Sequence, residues 1–158
     1  MGLANEEVEA TIEALKPVLI QHDYQRRDGT WYFFSPELVR VLDFHPGRRH
    51  SKKALLRIGL VIRALQDSTR PELHDCSVSG PLYLLLENLG HYERIINFGD
   101  TTLATTERIS HIVRLVEGSA LPFLADFVTV DHVRNFVDSP RSHGFNIQRA
   151  TREYLSHR

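Results

Sequence analysis

The stretch from Tyr24 to Arg63 constrains the fold most, because it holds three strand-like runs joined by connections too short for a crossover. Thr30-Trp31-Tyr32-Phe33-Phe34 is built from β-branched and aromatic residues, which suit a pleated, half-buried surface. Ser35-Pro36-Glu37 reverses the chain, and a second run over 38–45 is stopped by Pro46-Gly47. A basic loop, Arg48-Arg49-His50-Ser51-Lys52-Lys53, leads into a third run over 55–63. Neighbours connected this briefly pair antiparallel, so the expectation is a β-meander.

Side-chain alternation carries the argument to register. The third run places Leu56, Ile58, Leu60 and Ile62 on one face and Arg57, Gly59 and Arg63 on the other. Pairing the aliphatic face with Val39 and Val41 keeps Arg40 away from the helices. That choice gathers Arg40, Arg57 and Arg63 on the second face, with Leu38, Leu42 and Phe44 beside them and Gly59 leaving room near Arg40. A single bulge would undo this register.

Outside the meander the chain reads as helical. Asn5 is a candidate cap for a first helix in which Val8, Ile12, Leu15 and Leu19 form one apolar stripe, and Pro17 should kink it or end its regular part. The polar, Pro- and Ser-punctuated segment 66–80 reads as a long loop. Pro81 opens a helix covering 82–89 that Gly90 stops, and 95–98 is a short strand or connector. Thr102 or Thr105 caps a helix through Ile109 to Val116 with Gly118 as its stop. Further helices are expected over 121–127, 130–137 and 146–155. No internal repeat is present. Strands followed by helices imply an α+β fold: an N-terminal helix, an antiparallel meander of at least three strands, and a helical C-terminal half packed on the sheet, all in a single domain over 1–158.

On particular segments the first part of the chain resembles a mostly bacterial family known as domain of unknown function 4304. The resemblance covers about residues 15–65. It rests on Leu15-Lys16-Pro17, on Tyr24-Gln25-Arg26-Arg27-Asp28-Gly29-Thr30-Trp31-Tyr32, on Leu38-Val39-Arg40-Val41-Leu42 and on Arg57-Ile58-Gly59-Leu60. Asp23-Tyr24 stands where the family tends to have Gly-Phe, and Asp43-Phe44-His45-Pro46 replaces a Gln-containing strand end. The resemblance implies a fold and transfers no activity and no catalytic residue.

Composition narrows the function classes. A chain of 158 residues suits one domain able to bury roughly 70% of its unfolded surface. Its hydrophobic fraction of 42% and charged fraction of 25% are globular values. A net charge of -1 argues against a surface devoted to nucleic acid. One cysteine rules out an internal disulfide. The acidic opening lacks a signal-peptide pattern, Glu6 stands where a myristoylation pattern wants Ser or Thr at its sixth position, and no apolar run reaches the ~20 residues of a membrane span. The expectation is a cytoplasmic protein with no membrane partner.

The chemistry-bearing residues form no complete motif. The nine histidines include no HExxH, and His74-Asp75-Cys76 are adjacent residues whose side chains diverge. Cys76 with His74 lacks an orienting third group, and Ser77-Val78-Ser79-Gly80 is no nucleophile elbow. Gly29, Gly47 and Gly59 are isolated, so no phosphate-binding loop is present. Glu37 and Asp43 fall on the strand face assigned to the core, near strand ends, where solvent or an arginine would satisfy them. No catalytic residue, metal or cofactor is assigned.

Two cationic surfaces remain. Arg48, Arg49, Lys52 and Lys53 suit phosphates or an acidic surface, or serve only as a solvated hairpin tip. Arg40, Arg57 and Arg63 sit on a rigid scaffold among aliphatic and aromatic neighbours, a composition that protein-binding surfaces favour. The competing structural reading covers that face with C-terminal helices and pairs the arginines with Glu107, Glu117 or Asp126. Three functions follow as expectations. The first is a non-enzymatic module that binds an acidic protein surface, by analogy an immunity-like protein. The others are a nucleic-acid or phosphate-binding protein using the basic loop, and an enzyme without a recognisable motif.

Overall fold

The computed structural model describes residues 4–48 and 50–157. Arg49 of the basic loop, and Gly2 of the lipidation pattern, lie outside the described residues. Helix α1 (Asn5–Gln21) is followed by β1 (Gln25–Arg27), β2 (Thr30–Phe34), β3 (Leu38–Pro46) and β4 (Ala54–Ile62). Then come β5 (Val78–Pro81), α2 (Leu89–Ile96), α3 (Thr105–Leu115), α4 (Leu121–Ala125), α5 (Val130–Val137), β6 (Asn146–Ile147) and α6 (Arg149–Ser156). The fold is α+β, with six antiparallel strands among the described residues in the spatial order β1-β2-β3-β4-β5-β6.

The meander is present, and its register differs from the expected one. Leu42 lies opposite Ile58, Arg40 opposite Leu60, Val41 opposite Gly59 and Asp43 opposite Arg57. Directly opposed residues share a face, so Arg40 lies with Leu38, Leu42 and Phe44 on the helix side, and Arg57 lies on the other side with Asp43. Arg63 stands just beyond the end of β4. The arginine face of three strand residues therefore does not exist. Val39 and Val41 pack with Val61 on the second face, and Asp43 is not on the core face.

The physical reason lies in the size of the buried set. Leu38, Leu42 and Phe44 carry more apolar surface than Val39 and Val41, and at ~25 cal/mol per Å² that surplus favours burying them under the helices. Arg40 goes with them and is solvated from within. Its Nε donates to the carbonyl of Phe127 (3.1 Å), its Nη2 to that of Ala125 (3.5 Å), and its guanidinium lies 4.3 Å from the Phe33 ring centre. The Ala125 carbonyl is at the end of α4, where helix termini leave acceptors unpaired, and Phe127 lies just beyond it. The C-terminal half does cover this face, although Arg40 meets backbone carbonyls there instead of Glu107, Glu117 or Asp126.

Two apolar clusters hold the sheet. The larger joins Leu15 and Leu19 of α1, Leu42 and Phe44 of β3, Ile58 and Leu60 of β4, and Ile112, Val116 and Leu124 of the C-terminal half. The smaller joins Tyr32, Val39, Val41, Val61 and Cys76 on the second face. The chain between β4 and β5 produces it by crossing that face. The Tyr32 hydroxyl donates to the carbonyl of Pro71 (2.8 Å), and Cys76 closes onto Gly59. A Cβ at Gly59 would lie 2.7 Å from the Cys76 Sγ, so the space expected above Arg40 is instead filled by this crossing on the opposite side.

Several boundaries move for similar tertiary reasons. α1 has Ala4 at its cap position, with Asn5 as its first residue, and runs through Pro17 to Gln21. The segment expected to be all loop contains β5, which is recruited by pairing with β4. Gly90 lies in the first turn of α2, where Asn88 accepts from the His91 amide (3.0 Å), and only a 3-10 turn, Leu82–Leu85, follows Pro81. Gly118 stops nothing: a π-helical turn, Val116–Ala120, carries α3 directly into α4. Ile95 and Ile96 close α2 instead of forming a strand. No described helix is long and apolar enough to cross a membrane.

Candidate functional site

Where the crossing segment stops short, the second face of the sheet stays open as a cleft of about 380 Å³. Its floor is set by three residues on adjacent strands. Asp43 and His45 are two apart on β3, so both point to this face, and the register brings Arg57 of β4 directly opposite Asp43. Thr30 of β2 stands opposite Asp43 on the other flank. The rim is formed by Arg27 and Asp28 at the end of β1 and by Arg70, Glu72 and His74 of the crossing segment.

Asp43 is the electrostatic centre. Its side chain is 9% exposed, and it accepts from Arg57 Nη2 (2.8 Å) and Nε (3.2 Å) at one oxygen and from the Thr30 hydroxyl (3.0 Å) at the other. His45 Nε2 lies 3.2 Å from the same Asp43 oxygen that Arg57 holds, and against Arg57 Nη2 as well. Burial alone would push the Asp43 carboxyl up, but the hydrogen bonds and charges of His45 and Arg57 outweigh it and hold the group below 3.8. The bond to Asp43 likewise raises His45 above 6.5, against a smaller opposing effect of burial.

The tautomer of His45 follows from its other nitrogen. Nδ1 is 2.6 Å from the carbonyl of Pro46, which only accepts, so Nδ1 carries a proton. Both ring nitrogens are therefore engaged within the protein, and neither faces the open cleft as a base. Cys76 is no nucleophile either. It is fully buried, and burial pushes its thiol up to about 12. Among the described residues no group of three or more His, Cys, Asp or Glu side chains converges as for a metal ion.

What the cleft offers is donors. Asp28 pairs with Arg70 and Asp43 with Arg57, while Glu72 lies 3.3 Å from His74, a pair of opposite charges only when that ring is protonated. Arg57 uses Nε and Nη2 on Asp43, which leaves Nη1 over, and Arg27 makes no ion pair among the described residues. The arrangement is suited to holding an anionic group by charge-assisted hydrogen bonds.

The sequence-selected cations divide. Arg57 is in the cleft, whereas Arg40 is under the helices. Arg63 is a loop clamp, donating to the carbonyl of Ser35 (2.8 Å) and to Asp67 (3.2 Å). The end of the basic loop at Lys52 and Lys53 is docked by its backbone. The Phe98 amide donates to the Lys52 carbonyl (2.9 Å), Lys53 bridges to Asn97, and its ammonium pairs with Glu93 (2.9 Å). Arg48 and Lys52 are exposed at the same end of the sheet as the cleft. His45, Arg27 and Arg70 escaped selection from sequence. The available signal was the i, i+2 spacing of Asp43 and His45, which becomes informative once the larger apolar set fixes the register. Comparison with known protein families, with curated proteins and with solved structures gives no match.

Proposed function

We propose that this protein is a non-enzymatic interaction module that engages an acidic protein surface through the cleft, with Arg48 and Lys52 beside it. The observation that carries the reading is the set of unused donors inside the cleft. Asp28 and Asp43 are held by arginines, and the donors left over are the guanidinium of Arg27 and Nη1 of Arg57. An incoming carboxylate finds donors there without displacing a protein acceptor. Arginine held on a rigid strand loses little freedom on binding, which favours it as an anchor.

The test uses a fluorescently labelled hexaglutamate peptide and its anisotropy at low and moderate salt. The unaltered protein binds it with an affinity that falls as salt rises. Arg27→Glu places a like charge at the rim and weakens binding severalfold while flattening the salt dependence. Equal affinity of the two proteins would rule out the cleft as the binding surface.

A further inference from the structure

The floor of the cleft is a charge cluster with two arrangements. His45 Nδ1 is committed to the Pro46 carbonyl, so the state of the ring is decided at Nε2. That nitrogen touches a donor, Arg57 Nη2, and an acceptor, the Asp43 carboxylate. A neutral ring accepts from Arg57, and its lone pair then faces Asp43. A protonated ring donates to Asp43, and its N–H then faces the Arg57 guanidinium. No single protonation state satisfies both neighbours.

The two states differ in charge. With His45 neutral, one carboxylate balances one guanidinium and the floor is neutral. With His45 protonated, two cations face one carboxylate and the floor carries a single positive charge. The imidazolium also competes with Arg57 for the same Asp43 oxygen, which leaves more of the guanidinium for a ligand. We infer that the cleft is a proton-linked carboxylate site, in which binding an anionic side chain and protonating His45 favour one another. This rests on the reading of the protein as a module for acidic surfaces and names the ionisation that regulates it.

The other charged groups facing His45 are fixed by the fold. Asp43 shares its strand, and Arg57 comes from β4. From β1 and its turn come Arg27 and Asp28, which pairs with Arg70. The crossing segment supplies Glu72 and His74, 3.3 Å apart at the rim and oppositely charged only when His74 is protonated. The Tyr32 hydroxyl is committed to Pro71. His74 is the one other imidazole in the cleft lining, and it is the necessary control. By linkage, an anion beside His45 raises its pKa further, and the affinity gain is complete below the free-state pKa and lost as pH rises through the bound-state value.

Calorimetric titration with hexaglutamate between about pH 5.5 and 8.5 tests this, since glutamate side chains stay ionised throughout that range. The unaltered protein binds at least about fivefold more tightly at the acid end, in line with typical coupling between linked sites, and His74→Gln keeps that slope whatever its absolute affinity. His45→Gln binds with a flat profile. Proton uptake is read independently on the unaltered protein, from the binding heat in buffers of different ionisation enthalpy, so the test does not depend on a variant folding. A flat profile and no proton uptake in the unaltered protein would overturn the inference while leaving the acidic-partner reading standing. The same slope in His45→Gln would overturn it too. If hexaglutamate fails to bind but sulfate binds with the expected slope, the proton-linked site stands and the acidic protein partner falls. If neither binds at any pH, both fall.

Discussion

At the scale of single residues, His45 and Asp43 make stability depend on pH in opposite directions. His45 is raised above 6.5 in the fold. Its contribution is complete below that unfolded-state value and is lost as pH rises through the folded one. Asp43 is lowered below 3.8, so its contribution is present above 3.8 and is lost as pH falls through the lowered value. Both are present together between these windows. Urea denaturation should therefore give a higher midpoint at pH 6 than at pH 8, and His45→Gln should reduce that difference. An unchanged difference in the variant would place the effect on other histidines. Arg40 teaches the other residue-scale lesson. A strand arginine was expected to exclude its face from the core, yet a long side chain can bury its stem and carry its head to carbonyls at a helix end.

At the scale of elements, Arg108 ties α3 to the end of α2 and to the link between them. It is 1% exposed, and its guanidinium donates to the carbonyls of Arg94, Ile95 (2.9 Å), Asp100 (2.5 Å) and Leu103 (3.4 Å) while lying 5.4 Å from the Phe98 ring centre. These are among the last carbonyls of α2 and those of the link to α3, which Arg108 supplies with donors. Arg108→Met keeps much of the volume and removes every donor, and it should cost about 3 kcal/mol of stability. Amide exchange should rise first over residues 97–104. A loss spread evenly over all elements would contradict that assignment. Glu37 acts similarly across elements, accepting from the Val130 amide (2.7 Å) at the start of α5.

These elements also show what was legible in the sequence. β2 and α5 were readable to the residue, because Thr30–Phe34 and Val130–Val137 have strong local patterns. β5 and β6 were not, because Val78–Pro81 and Asn146–Ile147 are short and polar, and become strands only through pairing with a partner. The α3–α4 junction was missed because Gly118 reads locally as a stop, while the apolar faces on both sides of it keep the helix running. The cleft was half visible. The sequence offers either solvent or an arginine to satisfy Asp43, and the choice of Arg57 depends on a register that local alternation leaves ambiguous between two apolar sets.

At the scale of the whole molecule, the division of the sheet decides where binding occurs. One face is closed by the helices and the other is partly closed by the crossing segment, whose contact with Gly59 admits no side chain. The remaining opening holds Asp43, His45 and Arg57, with the basic loop at the same end of the β3–β4 hairpin. The measurement that tests this most directly is a residue-resolved nuclear magnetic resonance titration with hexaglutamate at pH 6. Shifts centred on Arg27, Asp43, His45, Arg57 and Arg70 are the predicted result. Shifts centred on helical cations such as Arg114 or Arg152, or no shifts at all, would contradict the account.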